Sequence, residues 1–218
     1  MIKKTITIMP KTIPFDNYSD EYENWFVKNP YIFQSELEAL KKAIPNFGDG
    51  IEIGIGSGIF AEQLGIKEGV EPSEAMRLKA VEKGIDVVNG VAENLPYANN
   101  SKDFALMITS ICFVDNINKS FKEINRVLKR NGRLIIAFVD KDSPVGKMYS
   151  KNKDKSLFYK DAIFRGTEEL YEILKMEEFT LENTYQTIIG EMDEISKIQD
   201  VKSGYGQGSF VVIEAKKK

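Results

Sequence analysis

Residues 51–60 read IEIGIGSGIF, and they narrow the fold further than any other stretch of the chain. Ile51, Ile53 and Ile55 alternate as in a short strand, glycine stands at 54, 56 and 58, and SGIFAEQLG then takes up a short helix. A strand that passes through a glycine loop directly into a helix opens a βα unit. The next residues repeat the alternation. GIKEGVEP reads as a second strand, SEAMRLKAVEKG as a helix with Ser73 at its N-cap and Gly84 at its stop, and IDVVNG as a third strand. Asp103 to Ser110 is a continuous apolar run of the kind buried in parallel sheets. Ile117, Phe121, Ile124 and Leu128 share a helical face that Asn131-Gly132 ends, and RLIIAFVD is a fifth strand. Alternation from 50 to 140 predicts an α/β fold on a doubly wound parallel sheet.

The flanks complete one domain of 218 residues. Phe33, Leu37, Leu40 and Ile44 lie on one face of a helix that starts near Pro30, so 1–44 is expected to be an arm and cap helix. Residues 45–140 form the alternating core, and 141–166, lysine-rich and dotted with aromatics, a lid-like insertion. Residues 167–218 hold a helix with Thr167 as its N-cap and two strand-like runs, TLENTYQTII and SFVVIEA.

Composition removes several function classes. The chain has no histidine, which excludes imidazole-based hydrolase triads and the common zinc and iron sites; no metal is expected. A net charge of −3, with the lysines scattered among acids, speaks against nucleic acid as a partner. Lys216, Lys217 and Lys218 read as a solvated tail. Cys112 is the sole cysteine, so a reducing cytoplasm is the expected compartment. The basic start MIKKTITIMPK never becomes a signal-peptide core, and ALMITSICFV is too short to span a bilayer, so no membrane association is expected.

A second glycine stretch, SGYGQGSFVV at 203–212, runs into a strand with no helix after it. Phosphate- and cofactor-cradling loops use the N–H groups of a helix N-terminus, so this one reads as a loop leading into an edge or terminal strand. The first stretch has the required context. Its ligand is set by its neighbours: Ile59 stands where a dinucleotide fingerprint needs its third glycine, and Glu52, two residues before Gly54, repels a pyrophosphate. A carboxylate there suits a ligand with positive charge, and S-adenosylmethionine carries both a sulfonium and an ammonium. Glu71, seventeen residues after Gly54 and at the end of the second strand, stands where an acid accepts hydrogen bonds from ribose hydroxyls.

With these residues in place, the sequence resembles the class I S-adenosylmethionine-dependent methyltransferases, and looks most like the small-molecule branch that includes quinone-biosynthesis enzymes. EIGIGSG matches the family's E/D-x-G-x-G-x-G loop, which implies that Gly54, Gly56 and Gly58 lie against the methionine part of the cofactor. VEPS matches its ribose-binding strand end, carried by Glu71 with Pro72. GVAENLPYANNSKDFAL is similar to its adenine-side segment and implies Ala92 and Glu93 near the adenine, although Val91 replaces the usual acid before the alanine. The resemblance implies a Rossmann-like, mostly parallel sheet of seven strands with helices on both faces, the last strand antiparallel. FDNYSDEYENWF resembles the family's N-terminal segment and suggests Tyr18 as the aromatic that closes over the cofactor. Thr109 and Ser110 are expected on the methionine side.

Methyl transfer from a sulfonium needs positioning more than acid–base chemistry, so the missing histidine is no obstacle. If an acceptor arrives protonated, Asp115 is the candidate base, and a helix N-cap is its alternative role. Cys112, between Ile111 and Phe113, reads as core rather than nucleophile, and TSIC stands where nucleobase amino-methyltransferases carry N/D-P-P-Y. A small-molecule acceptor is expected, with Tyr22, Trp25, Phe26, Tyr149, Phe158, Tyr159 and Phe164 either walling its pocket or holding down a lid. Three alternatives stay open: a sensor of S-adenosylmethionine or S-adenosylhomocysteine without turnover, a methyltransferase acting on protein or RNA, and a nucleotide-dependent oxidoreductase.

Overall fold

The computed structural model describes residues 11–46 and 48–218. Residues 1–10, the start of the basic segment, lie outside the described part. Three helices lead in: α1 (Ile13–Asn17), α2 (Ser19–Lys28) and α3 (Pro30–Ala43). The alternating core follows as β1 (Gly50–Ile53), α4 (Ile59–Leu64), β2 (Glu68–Val70), α5 (Glu74–Glu82), β3 (Asp86–Val88), β4 (Lys102–Ile108), α6 (Ile117–Val127) and β5 (Leu128–Val139). The chain then runs through α7 (Pro144–Asn152), α8 (Thr167–Met176), β6 (Phe179–Thr187), β7 (Lys202–Ser203) and β8 (Phe210–Lys217).

Among the described residues these strands form one sheet of eight in the order β3-β2-β1-β4-β5-β8-β6-β7. The first five are parallel, and β8 pairs antiparallel with both β5 and β6. The strand period of two sends alternate side chains to opposite faces. Leu134, Ile136 and Phe138 of β5 pack with Phe121 and Ile124 of α6 and Leu170 and Leu174 of α8. Ile135 and Ala137 pack with Leu37 and Leu40 of α3 and Phe60 of α4 on the other face. Helices therefore cover both faces, as the alternation predicts.

Several expectations are corrected. The eighth strand is β7, two exposed residues paired with Tyr185 and Gln186 at the sheet edge, too short to read from pattern. Strand β8 is the terminal strand that the second glycine stretch was expected to enter, and it lies inside the sheet with residues 210–215 buried. Helix α6 ends at Val127 rather than at Asn131-Gly132, because its last carbonyls are taken from outside. The N–H groups of Asn100 and Ser101 donate to Arg126 O and Val127 O, and Lys217 Nζ donates to Asn125 O and Leu128 O. Lys216 and Lys217 thus belong to β8 rather than to a solvated tail. Finally, Thr167 is the first helical residue of α8, not its cap; its hydroxyl donates to Asp140, which ties the helix to the end of β5.

Candidate active site

In an open α/β sheet the ligand crevice opens where neighbouring connections diverge, at the carboxyl ends of the strands. Here that point lies between β1 and β4, from which the chain proceeds to β2 on one side and β5 on the other. The two strand ends are joined directly: Ser110 Oγ donates to Ile53 O at 2.7 Å. Beside this join lies a cavity of about 910 Å³, its mouth included.

The three glycines have different reasons to be glycine. A side chain at Gly54 would stand 2.6 Å from Ser110 Cβ, and one at Gly58 would stand 2.6 Å from Ile85 Cδ1. Those two allow strand and helix to approach closely. At Gly56 a Cβ would meet only Met76 Cε at 3.8 Å and the Tyr22 hydroxyl at 4.0 Å, so its backbone faces open space. Gly54 and Gly56 line the cavity; Gly58 packs behind it against α5.

Two carboxyl groups stand behind the loop. Glu71 is 8% exposed, and its two oxygens accept from the N–H groups of Gly56 and Ser73, each at 2.9 Å. Burial pushes its carboxyl up to about 7, against the pull of those hydrogen bonds and of Arg77. Glu52 is 2% exposed, and its Oε2 has no hydrogen-bond partner among the described residues. Burial, and then the charge of Glu71, push the Glu52 carboxyl well above the usual range. A buried carboxyl oxygen without a partner is costly unless a ligand satisfies it.

Glu71 lines the cavity with Pro72, Ala92, Glu93, Thr109, Ser110 and Asp115, whereas Glu52 lies behind the wall that its neighbours Ile53 and Gly54 provide. Glu93 is 3% exposed and holds the start of α6, accepting from the N–H groups of Asp115 at 2.7 Å and Asn116 at 3.0 Å. The N-cap of α6 is Asn116, whose side chain accepts from Lys119 N, so Asp115 is not a cap. Asp115 pairs with Lys11 at 3.3 Å across the mouth.

The aromatic candidates divide. Tyr22, Phe158 and Tyr159 line the cavity, while Tyr149 and Phe164 line a smaller one of about 340 Å³ that shares Tyr159 and Thr109 with it. Trp25 and Phe26 do not reach either; they pack with Phe33 and Phe60 against the sheet. Tyr18 sits at the break between α1 and α2, 38% exposed, and is not among the residues that line the cavity. Phe15 and Tyr22, on either side of that break, face inward instead. Phe15 meets Phe113 at 5.1 Å and Phe158 at 5.4 Å between ring centres, so the N-terminal arm and the 141–166 insertion close on each other over the cavity. Phe15, Met76 and Phe113 escaped the sequence reading, because apolar residues outside a motif carry no spacing that distinguishes cavity wall from core.

This donor set fits S-adenosylmethionine. The lone Glu52 oxygen suits an ammonium, the bare Gly56 backbone admits a close-lying chain, and Glu71 has the acceptor chemistry for hydroxyls. Comparison with known proteins agrees. The methyltransferase domain family matches residues 51–136. Over 203 residues the chain is 46% identical to an uncharacterized protein of Methanocaldococcus jannaschii, covering 93% of this chain and 98% of that one. A 64-residue segment is 42% identical to the ubiquinone/menaquinone biosynthesis C-methyltransferase UbiE of Rhizobium meliloti, 29% of this chain and 25% of that one. A solved S-adenosylmethionine-dependent methyltransferase of Thermotoga maritima, described as a possible histamine N-methyltransferase, superposes with a TM-score of 0.91. It is 47% identical, over 94% of this chain and 99% of that one. With likeness of that extent over nearly the whole length, the chain belongs to the S-adenosylmethionine-dependent methyltransferases, and S-adenosylmethionine is its cofactor.

Proposed function

We propose that this enzyme methylates a small molecule enclosed in the cavity beside Tyr22, Phe158 and Tyr159. The observation that carries this reading is the aromatic roof: Phe15, Phe113, Phe158 and Tyr22 meet edge to face or tilted over the strand ends. An acceptor must fit beneath it, whereas a protein or RNA acceptor would need an open surface. The UbiE likeness spans a quarter of that enzyme and carries no acceptor with it. The description of the Thermotoga protein makes amines the first acceptor class to screen. The whole chain acts as one catalytic unit: residues 1–44 supply the arm, 45–140 the cofactor-binding core, 141–166 the lid and 167–218 the closing helix and strands. The lone buried Cys112 suits a reducing compartment, and we place the enzyme in the cytoplasm. Among the described residues no helix is long and apolar enough to cross a membrane.

Bound S-adenosylmethionine would supply an electrophilic methyl group: an acceptor lone pair would bond to the methyl carbon as the C–S bond breaks, and the sulfur would leave as the neutral thioether of S-adenosylhomocysteine. The chain's own contribution is then to orient and to exclude water. In our reading Glu52 holds a positive charge, which offsets the burial that otherwise keeps it protonated. Glu71 accepts from ribose hydroxyls with the lone pairs that Gly56 and Ser73 leave free, and Pro72 packs beside it. Ala92 and Glu93 flank the adenine end, with Val91 apolar there. Thr109 and Ser110, with Gly54 and Gly56, flank the methionine end. The Lys11–Asp115 pair latches the arm across the mouth, so Asp115 acts by positioning rather than as a base.

Titration calorimetry with S-adenosylmethionine, S-adenosylhomocysteine and NAD tests the cofactor assignment. Binding of the first two, weakened about 10- to 100-fold in Glu71→Ala by loss of a charged hydrogen-bond acceptor, is the expected result. Binding of NAD alone would overturn it. S-adenosylhomocysteine formed in the presence of a small acceptor, and not of bulk protein or RNA, would establish the acceptor class.

A further inference from the structure

We propose that the second, smaller cavity receives the far end of the acceptor, and that Arg165 holds a carboxylate there; this rests on the methyl-transfer reading and names the acceptor class of the same site. The walls of that cavity are aliphatic and aromatic, from Ile111, Phe138, Val139, Tyr149 and Phe164. Among the described residues that line it, Arg165 alone carries a charge. Thr109 and Tyr159 belong to both cavities, so an acceptor that passes them has one end beside the cofactor site and the other beside Arg165. Thr109 stands at this junction with φ +50°, a backbone angle that β-branched residues avoid, and its N–H donates to Ala137 O at 2.8 Å. Strain of this kind gathers where a chain handles a ligand.

The hydrogen bonds of Arg165 say what it would hold. Its side chain is 12% exposed, and Nη1 donates to Glu169 Oε1 at 2.5 Å. Nε is buried and has no hydrogen-bond partner among the described residues. Nε and Nη2 form one edge of the planar guanidinium, whose two parallel N–H groups match the two oxygens of a carboxylate. Glu169 sits off that edge, on Nη1. An ion pair with Glu169 needs one donor, which a lysine would supply as well, and a buried donor without a partner weakens the fold. Nor does Glu169 cancel the charge of Arg165, because it also pairs with Lys141 at 3.5 Å. The next acid along the chain, Asp140, is taken up by the N–H of Asp142 and by the N–H and hydroxyl of Thr167. Backbone bonds fix the segment that carries Arg165: Ile163 N–H donates to Cys112 O at 2.7 Å, and Lys141 N–H to Arg165 O at 3.0 Å. The cation that lines the main cavity, Lys11, is paired with Asp115 at its mouth. One guanidinium edge among apolar walls selects an apolar or aromatic body that ends in a carboxylate.

The test compares charged and neutral ligands of the same shape. The whole protein, with and without saturating S-adenosylhomocysteine, is titrated with 3-phenylpropionate and indole-3-acetate and with their amides 3-phenylpropionamide and indole-3-acetamide. At least one carboxylate is expected to bind about tenfold tighter than its amide, the scale of one hydrogen bond to a charged group. In Arg165→Gln that gap closes while the affinity for S-adenosylhomocysteine stays the same, and in Lys11→Gln the gap persists. Carboxylates that bind no tighter than their amides, or a gap that survives in Arg165→Gln, would overturn the proposal. A gap that closes in Lys11→Gln would overturn it too, by placing the carboxylate at the mouth. Should Arg165→Gln fail to fold, Arg165→Lys takes its place, keeping the charge beside Glu169 and removing the paired donors: the gap must shrink several-fold, and an unchanged gap counts against the subsite. If S-adenosylhomocysteine does not bind at all, the methyl-transfer reading fails, and the carboxylate gap measured without it still decides the role of Arg165.

Discussion

A single methyl group added at Gly56 separates binding from folding. The space for a Cβ exists there, so Gly56→Ala strains only a backbone at φ +58°, by roughly 1–2 kcal/mol. The same methyl group fills the bare face of the cavity. Calorimetry is expected to show at least about a tenfold loss of S-adenosylhomocysteine affinity, near 1.4 kcal/mol, in a protein that still melts cooperatively. Gly58→Ala behaves in the opposite manner, because its Cβ would press on Ile85 at 2.6 Å and on Ala80 at 3.2 Å. There the melting temperature falls more than the affinity. Equal effects of the two substitutions on binding would remove the distinction between cradle and packing glycine. The residue scale also separates Tyr18 from Tyr22. Tyr18 and Tyr22 belong to one polar, aromatic stretch, and only the break at Tyr18, with φ −134° and ψ 35°, decides which ring turns inward.

At the level of elements, the start of α6 divides two neighbouring side chains by role. Asn116 caps the helix, so Asn116→Ala is expected to cost about 1 kcal/mol of stability. Asp115→Asn leaves the cap intact and breaks only the pairing with Lys11 across the cavity mouth. A latch lost in this way raises KM for the cofactor and leaves kcat near its original value; a base lost would lower kcat at saturation. Steady-state kinetics therefore distinguishes the two roles. The second glycine stretch is an element-scale feature as well. Gln186 Oε1 accepts from the N–H groups of Gln207 and Gly208, and a Cβ at Gly208 would stand 2.4 Å from Thr187 O. Gly208 serves the close approach of the loop to β6, and Gly204 and Gly206 take positive φ angles in the turn before it. The absence of a following helix was already visible in the sequence, but the partner strand was not.

For the whole molecule, buried carboxyl groups set the dependence of stability on pH. Burial raises Glu36 from its ordinary 4.5 to about 8 and Glu71 to about 7, and raises Glu52 as well. Between about pH 4.5 and 8 the folded chain thus keeps protons that the unfolded chain has released, so stability falls as pH rises. Asp103 and Glu123, held below the ordinary range by the Asp49 N–H and by Arg126, titrate at the acid end and leave this window alone. Thermal unfolding of the ligand-free protein is expected to show a melting temperature that drops from pH 5 to pH 9, with a shallower drop in Glu36→Gln. A melting temperature that climbs over this range would mean that these carboxyls are ionised and partnered.

The sequence alone determined the strand–loop–helix alternation, the glycine loop with Glu52 before it, and Glu71 at the end of the next strand. Each of these is written in spacings of a few residues along one element, where period and glycine geometry suffice. The tertiary structure decided the rest. It put β8 inside the sheet, ended α6 early with groups from Asn100, Ser101 and Lys217, and turned Phe15 and Tyr22 rather than Tyr18, Trp25 and Phe26 into the cavity. Periodicity assigns a residue to a face of its own helix or strand. What that face meets depends on chain segments that can lie more than a hundred residues away, as Phe158 lies from Phe15, and that information exists only once they have packed.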